Sequence, residues 1–258
     1  MTVVVKVGGH ALDDLSPTSP IFTDLAEDVA SLERVVIVHG GGPQIADLLS
    51  RVQLESRFHE GLRVTDDATM EVVSMALSHV NTLVVAGLVR AGHRAAGVNG
   101  VSGNLLSSVV ESQSLGRLAG RIRVQADLLV SLLDAGWTPV VSPVTRGEDG
   151  GLLNCNADAA AGALARALNA DALVLLSDID HVRSDPDDPS SVLTTLTRRE
   201  LTDLLDSGAA RDGMRPKLNA ALEALDAGAR RVVLANGTRP HALRGVLNHT
   251  IPSTEVLP

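Results

Sequence analysis

The chain has 258 residues, 45% hydrophobic and 21% charged, enough for a sizeable core in one large or two modest domains. Aromatic residues make up only 1% and the net charge is -9, which argues against nucleic-acid binding, since that function wants a basic face and stacking platforms. The single cysteine excludes an internal disulfide framework. No apolar run is read as reaching the roughly 18 residues of a membrane helix, and no signal peptide is visible, so a cytoplasmic address without membrane contact is expected.

In chain order, short β-branched runs alternate with amphipathic stretches. Val3 to Val7 and Val35 to Val38 read as strands, followed by helical patterns over Ile45 to Arg51 and Ala68 to Ala91. Ala95 to Val98 and Pro139 to Val141 are further strands, with a helical pattern over Ala126 to Ala135 between them. Then come a helix over Ala157 to Leu168, a strand over Ala172 to Leu176, a helix over Lys217 to Ala227 and a strand over Arg231 to Leu234. Apolar, unalternating strands spaced by helices predict an α/β fold with a buried, mainly parallel sheet. Leu105 to Val110 and Arg121 to Val124 break the rhythm and read as a β-hairpin flap outside that sheet. Ser184 to Ser191, with three Asp and two Pro, reads as a solvated loop.

Two glycine loops carry the chemistry. The first strand runs into Lys6-Val7-Gly8-Gly9, and the second into His39-Gly40-Gly41-Gly42-Pro43-Gln44 ahead of a helix. Glycines let the backbone turn sharply and approach a ligand. The helix start offers unpaired N–H groups and a positive dipole end, so an anion belongs there. Two such loops on neighbouring strands could hold one phosphoryl group between them. Neither fits the P-loop or the dinucleotide fingerprint.

Six segments occur in order: Lys6-Val7-Gly8-Gly9, His39 to Gln44, Gly61-Leu62-Arg63-Val64-Thr65, Asn154-Cys155-Asn156-Ala157-Asp158, Leu176-Ser177-Asp178 and Asp212 to Lys217. Together they resemble the amino acid kinase superfamily, and within it the carboxylate kinases that act on N-acetyl-L-glutamate in arginine biosynthesis. The resemblance implies a three-layer αβα sandwich, with an acyl-acceptor and dimerisation lobe over residues 1–170 and an ATP-binding lobe over 171–258. The implied reaction is ATP-dependent phosphorylation of a carboxylate, with Mg²⁺ carried by the nucleotide phosphates and no metal ligands from the chain.

The same resemblance implies the site residues. Lys6 and Lys217 match the transition-state lysines, and Asp158 the carboxylate that organises them. Gly9, Gly41 and Gly42 match backbone donors around the acceptor and the transferring group. Arg63 matches a clamp on the substrate α-carboxylate, the planar bidentate recognition that guanidinium performs best. Asn154 matches a substrate contact, although an Asn pair ahead of a helix also suits capping. Asp178, Ile179, Asp180, His181, Val182 and Arg183 match the nucleotide turn, and Ala209, Ala210 and Arg211 a second nucleotide contact. His181 stands where the family pattern has glycine, which bears on the geometry of that turn.

Other residues read as structural. Cys155 has no basic neighbour to activate it, Trp137 suits packing, and His39, His10, His59 and His79 lack a second His at ligand spacing. One alternative is a related kinase acting on aminoadipate or glutamate held by an acidic carrier protein, which would want a basic docking surface. Another is a catalytically silent ligand sensor, against which Lys6, Asp158 and Lys217 argue. Only Met1 and Thr2 precede the first strand, leaving no room for the N-terminal helix that links arginine-inhibited relatives into rings. The expectation is a homodimer indifferent to arginine.

Overall fold

The computed structural model describes residues 1–59, 61–210, 214–226 and 229–258, the side chains of residues 9 and 10 excepted. The first half of the chain gives β1 (Thr2–Val7), α1 (Pro20–Ala30), β2 (Arg34–His39), α2 (Gly42–Arg51), β3 (Phe58–His59), β4 (Leu62–Arg63) and α3 (Asp67–Arg90). β5 (Ala95–Asn99), β6 (Leu106–Val110), β7 (Ala119–Val124), α4 (Asp127–Asp134), β8 (Thr138–Ser142), β9 (Val144–Gly147), β10 (Leu152–Asn154) and α5 (Ala157–Ala167) follow. The remainder comprises β11 (Ala172–Ser177), β12 (Val182–Arg183), β13 (Val192–Leu193), β14 (Thr195–Thr197), α6 (Arg198–Asp206), α7 (Met214–Asp226), β15 (Arg231–Asn236), α8 (Ala242–Leu247) and β16 (Ser253–Leu257).

Eight strands form the central sheet in the order β14-β16-β15-β11-β1-β2-β8-β5, parallel throughout except where β15 meets β16. The expected mainly parallel sheet is present. Its inner strands are apolar on both faces because helices cover both. On one side Val4, Val36, Val38 and Leu173 pack with residues of α4, α5, α6 and α7. On the other, Val3, Val5, Ile37 and Val174 pack with α1, α3 and α8. These are the three layers.

The predicted flap is real and larger than expected: β6 and β7 join β9 and β10 in a separate four-stranded sheet. A second small hairpin, β3–β4, escaped the sequence reading because two-residue strands carry no periodicity. The expectation that no apolar run is long enough to span a membrane needs correcting. α3 has 24 residues and a window of mean hydropathy 1.8, so it passes that test by length and composition. It is apolar because it packs against α1, α2, β5 and β8. Trp137 is half-exposed, with the Arg94 guanidinium stacked 4.5 Å above its ring.

β1 is the strand from which the order reverses. The chain moves from β1 to β2 on one side, while β11 and β15 lie on the other. In open α/β sheets ligands bind beyond the carboxyl ends of the strands at such a point. Registers Val7↔His39 and Val7↔Leu176 bring Gly8, Gly40 and Asp178 to this edge together.

Candidate active site

Lys6 projects from β1 toward the α5 layer, the face also used by Val4. It is only 6% exposed, and its Nζ lies 3.0 Å from Asp158 Oδ1. The other oxygen, Oδ2, accepts from Lys217 Nζ at 3.0 Å. One buried carboxylate thus joins a β1 lysine to an α7 lysine. Burial alone would raise the Asp158 pKa, but Lys6 and Lys217 outweigh it and hold the carboxyl below its ordinary range. Burial pushes Lys6 below its ordinary value, Asp158 opposing the shift and Lys217 adding to it. A Cβ at Gly8 would collide with the Lys6 ammonium, so glycine there lets the side chain fold back over its own strand end.

The two glycine loops meet as expected. Gly40 N donates to Val7 O at 2.8 Å, and Gly8 N to Leu176 O at 3.1 Å. Gln44 Nε2 donates to Leu12 O at 2.8 Å, tying α2 to the 3-10 turn Gly9–Leu12. Among the described residues the Gly41 and Gly42 N–H groups have no partner. They open α2, where the dipole is positive and an anion is stabilised.

Beside this helix start, Arg63 Nη2 donates to Gly42 O at 3.3 Å and Nη1 to the Ser56 hydroxyl. Its guanidinium lies 4.6 Å from the Phe58 ring centre, which holds the planar group by one face. Phe58 itself is 59% exposed on the β3–β4 hairpin. Thr65, fully buried, connects Arg63 to Asn154: its hydroxyl donates to Arg63 O at 2.9 Å and accepts from Asn154 Nδ2 at 3.1 Å. The two asparagines therefore divide their labour. Asn156 Oδ1 caps α5 by accepting from Asp158 N and Ala159 N at 2.9 and 3.0 Å. Asn154 makes no such bond, and its amide faces Thr65 instead. Thr65 lies inside the Gly-Leu-Arg-Val-Thr segment, a signal available in the sequence; Ser56 and Phe58 had none. Cys155 is buried, and burial together with Glu223 pushes its thiol up to about 12.

One turn before Lys217, Met214 of α7 borders a crevice of about 690 Å³ that is also lined by Asp178, Ile179, Asp180, His181, Arg183, Ala209 and Ala210, among others. Most of the residues expected at the nucleotide are thus brought together. Val182 is the exception: it is fully buried under the turn, and its N–H donates to Thr254 Oγ1 at 2.8 Å. The alternation of a short strand sends its side chain inward while its neighbours face the crevice. Arg211 falls outside the described residues. His181, at the position where glycine was expected, donates from Nδ1 to Ser253 O at 2.9 Å, so β16 braces the turn. Asp180 is held by Arg239 through two hydrogen bonds of 2.9 Å each, a pairing without sequence signal because 59 residues separate them.

Two cations around a buried carboxylate, unpaired glycine N–H groups and an adjoining crevice define a site built to stabilise transferring negative charge. Residues 1–236 match the amino acid kinase family, and the chain belongs to that family. An acetylglutamate kinase of Methanopyrus kandleri is 44% identical over 241 residues, covering 90% of this chain and 94% of that protein. One from Desulfitobacterium hafniense is 39% identical, covering 94% and 86%. The solved structure of smu.665 from Streptococcus mutans superimposes with a TM-score of 0.80 at 26% identity, covering 91% of this chain and 94% of that one.

Proposed function

We propose that this enzyme transfers the γ-phosphoryl group of ATP to the side-chain carboxylate of N-acetyl-L-glutamate, forming an acyl phosphate in arginine biosynthesis in the cytoplasm. The observation that carries the reading is Asp158 held between Lys6 and Lys217 beside the open α2 N-terminus. The two relatives named above carry the same activity in their names.

A carboxylate with a pKa of about 4.3 is already ionised at neutral pH, so the reaction needs no general base. Its difficulty is electrostatic, because an anion must approach a polyanion while charge spreads over the transferring oxygens. Lys6 folds against Gly8 and Gly40 of the two glycine loops, and Lys217 stands one turn beyond Met214, which lines the crevice, so both cations are available to the transferring group. Asp158 lies between the two ammonium groups and holds each at 3.0 Å. The Gly41 and Gly42 N–H groups add donors that cost no reorganisation during the reaction, and Gly9 opens the loop across from them. Arg63 and Asn154 hold the acceptor's α-carboxylate end. Asp178 to His181 and Arg183, with Ala209 and Ala210, line the nucleotide crevice, and Mg²⁺ carried by the nucleotide phosphates would offset part of their charge.

In this reading residues 1–170 form the acceptor lobe and 171–258 the nucleotide lobe. A homodimer through the first lobe is supported by β5, an edge of the central sheet, and by the exposed Met75 and Val89 of α3. Light scattering giving a monomer mass would remove the dimer. A coupled ADP-release assay with N-acetylglutamate, glutamate, aspartate and α-aminoadipate tests the activity. Turnover greatest with N-acetylglutamate is expected, and none with any of the four would defeat the proposal. Lys6→Met and Lys217→Met should each lower kcat far more than they raise KM.

A further inference from the structure

We propose that His39 and Asn81 are positioning residues that aim the Gly41 N–H at the transferring phosphoryl group, an inference that rests on the phosphoryl-transfer reading above. His39 ends β2 and is fully buried directly before the glycine loop. Its Nδ1 lies 2.7 Å from Gly40 O. A carbonyl oxygen only accepts, so Nδ1 carries the proton and donates. Nε2 is then a bare acceptor, and Asn81 Nδ2 meets it at 3.2 Å. The same Asn81 nitrogen donates its other hydrogen to Val140 O at 2.9 Å. Every polarity in this chain of bonds is assigned, from α3 through the imidazole to the loop. The opposite tautomer would set donor against donor at Asn81 and lone pair against lone pair at Gly40.

Two further features agree with the assignment. Burial lowers the His39 pKa to about 4, so the ring stays neutral at physiological pH. Asn81 Oδ1 sits against β5 at Gly97, where a Cβ would collide with it, so glycine there makes room for the amide. The consequence for the site follows from the geometry of one peptide unit. The described peptide bonds are trans, and in a trans peptide C=O and N–H point in opposite directions. With Gly40 O pinned toward the buried ring, the Gly41 N–H is turned the other way and has no partner among the described residues. A glycine-rich loop has little steric preference of its own, so a fixed donor direction needs an outside anchor. His39 supplies it, and α3 fixes His39.

The test uses three variants that place different atoms where Nδ1 stands, one bond beyond Cγ. His39→Asn keeps an N–H donor there, His39→Leu has a methyl, and His39→Asp has an acceptor facing Gly40 O. His39→Leu and His39→Asp should lower kcat about 10- to 100-fold, approaching the loss of one transition-state donor, with both KM values within about threefold of wild type. His39→Asn should recover at least tenfold of that loss. Asn81→Ala, which leaves the donor in place but frees the ring, should fall between. If His39→Leu and His39→Asn retain equal kcat, the proposal fails. Nitrogen-15 spectra of the wild-type imidazoles provide a readout independent of turnover and of variant folding. The resonance of His39 should be that of a neutral Nδ1–H tautomer at pH 7.5, and a neutral Nε2–H ring or an imidazolium would overturn the assignment. If wild-type protein phosphorylates no acceptor while His39 shows the expected tautomer, the functional reading fails and the hydrogen-bond assignment stands.

Discussion

Replacing Asp158 by Asn removes one charge from the centre of the site and leaves two ammonium groups facing each other. Lys6 Nζ and Lys217 Nζ each lie 3.0 Å from a carboxylate oxygen. At an effective dielectric constant of about 20, each attraction is on the order of 5 kcal/mol before desolvation is subtracted. Desolvation takes back much of this, and breaking such a buried pair costs about 3–5 kcal/mol in net stability. That loss belongs to the nucleotide-free protein. ATP brings its own anionic oxygens to the same two cations, so saturating nucleotide should narrow the gap between variant and wild type. The pKa of Lys6 should fall further, since Asp158 is the principal group opposing the effect of burial. Activity of the variant should therefore be lost at lower pH on the alkaline side. Urea unfolding followed through Trp137, the chain's one tryptophan, reads the stability directly. A variant that unfolds at the wild-type midpoint, with the same slope and without ATP, would refute the reasoning.

Arg63→Lys keeps the charge and loses the fork, so KM for the acceptor should rise about 10- to 100-fold while KM for ATP stays near wild type. Initial rates with each substrate varied check this, and a parallel rise in both constants would take Arg63 out of the acceptor pocket. Thr65→Val leaves Asn154 Nδ2 and Arg63 O without their partner, at a cost of about 1–3 kcal/mol. It should also raise acceptor KM, and Thr65→Ser should restore both stability and KM. His39 has a folded pKa of about 4 against an ordinary 6.5. The unfolded chain binds the proton more tightly, so stability falls as pH drops from 6.5 toward 4, by about 3 kcal/mol in full. Denaturant midpoints at pH 7, 5.5 and 4.5 should show this slope in wild type and a shallower one in His39→Asn.

How much of this was legible in the sequence depends on the range of the interaction. The strands over β1, β2, β8, β11 and β15 were legible because a strand buried on both faces must be a short apolar run, and β5, at the sheet edge, was legible from its short run of small and apolar residues. α1, α6 and α8 were not picked out. α6 is short and polar in all but a few positions, and it is held by the capping box between Thr197 and Glu200. The glycine loops and Lys6 stood out because the chemistry is local: a lysine ending an apolar strand and three consecutive glycines before a helix are odd wherever they occur.

What the sequence determined by itself was therefore the α/β class, the aliphatic core and the residue types that meet an anion. Only the tertiary structure decided which of those groups share a charge. Asp158 could have been a helix-start carboxylate and nothing more, and its spacing from Lys6 and Lys217 says nothing about a distance of 3.0 Å. The two asparagines look equivalent in the sequence, yet one caps α5 and the other bonds Thr65 across 89 residues. His39 read as an unremarkable histidine until folding placed Asn81, from another layer, on its far nitrogen. Hydrogen bonds and contact ion pairs form only when their atoms come within about 3 Å. Chain separation carries no information at that range, so the partners are set by how β1, α3, α5 and α7 pack around the sheet.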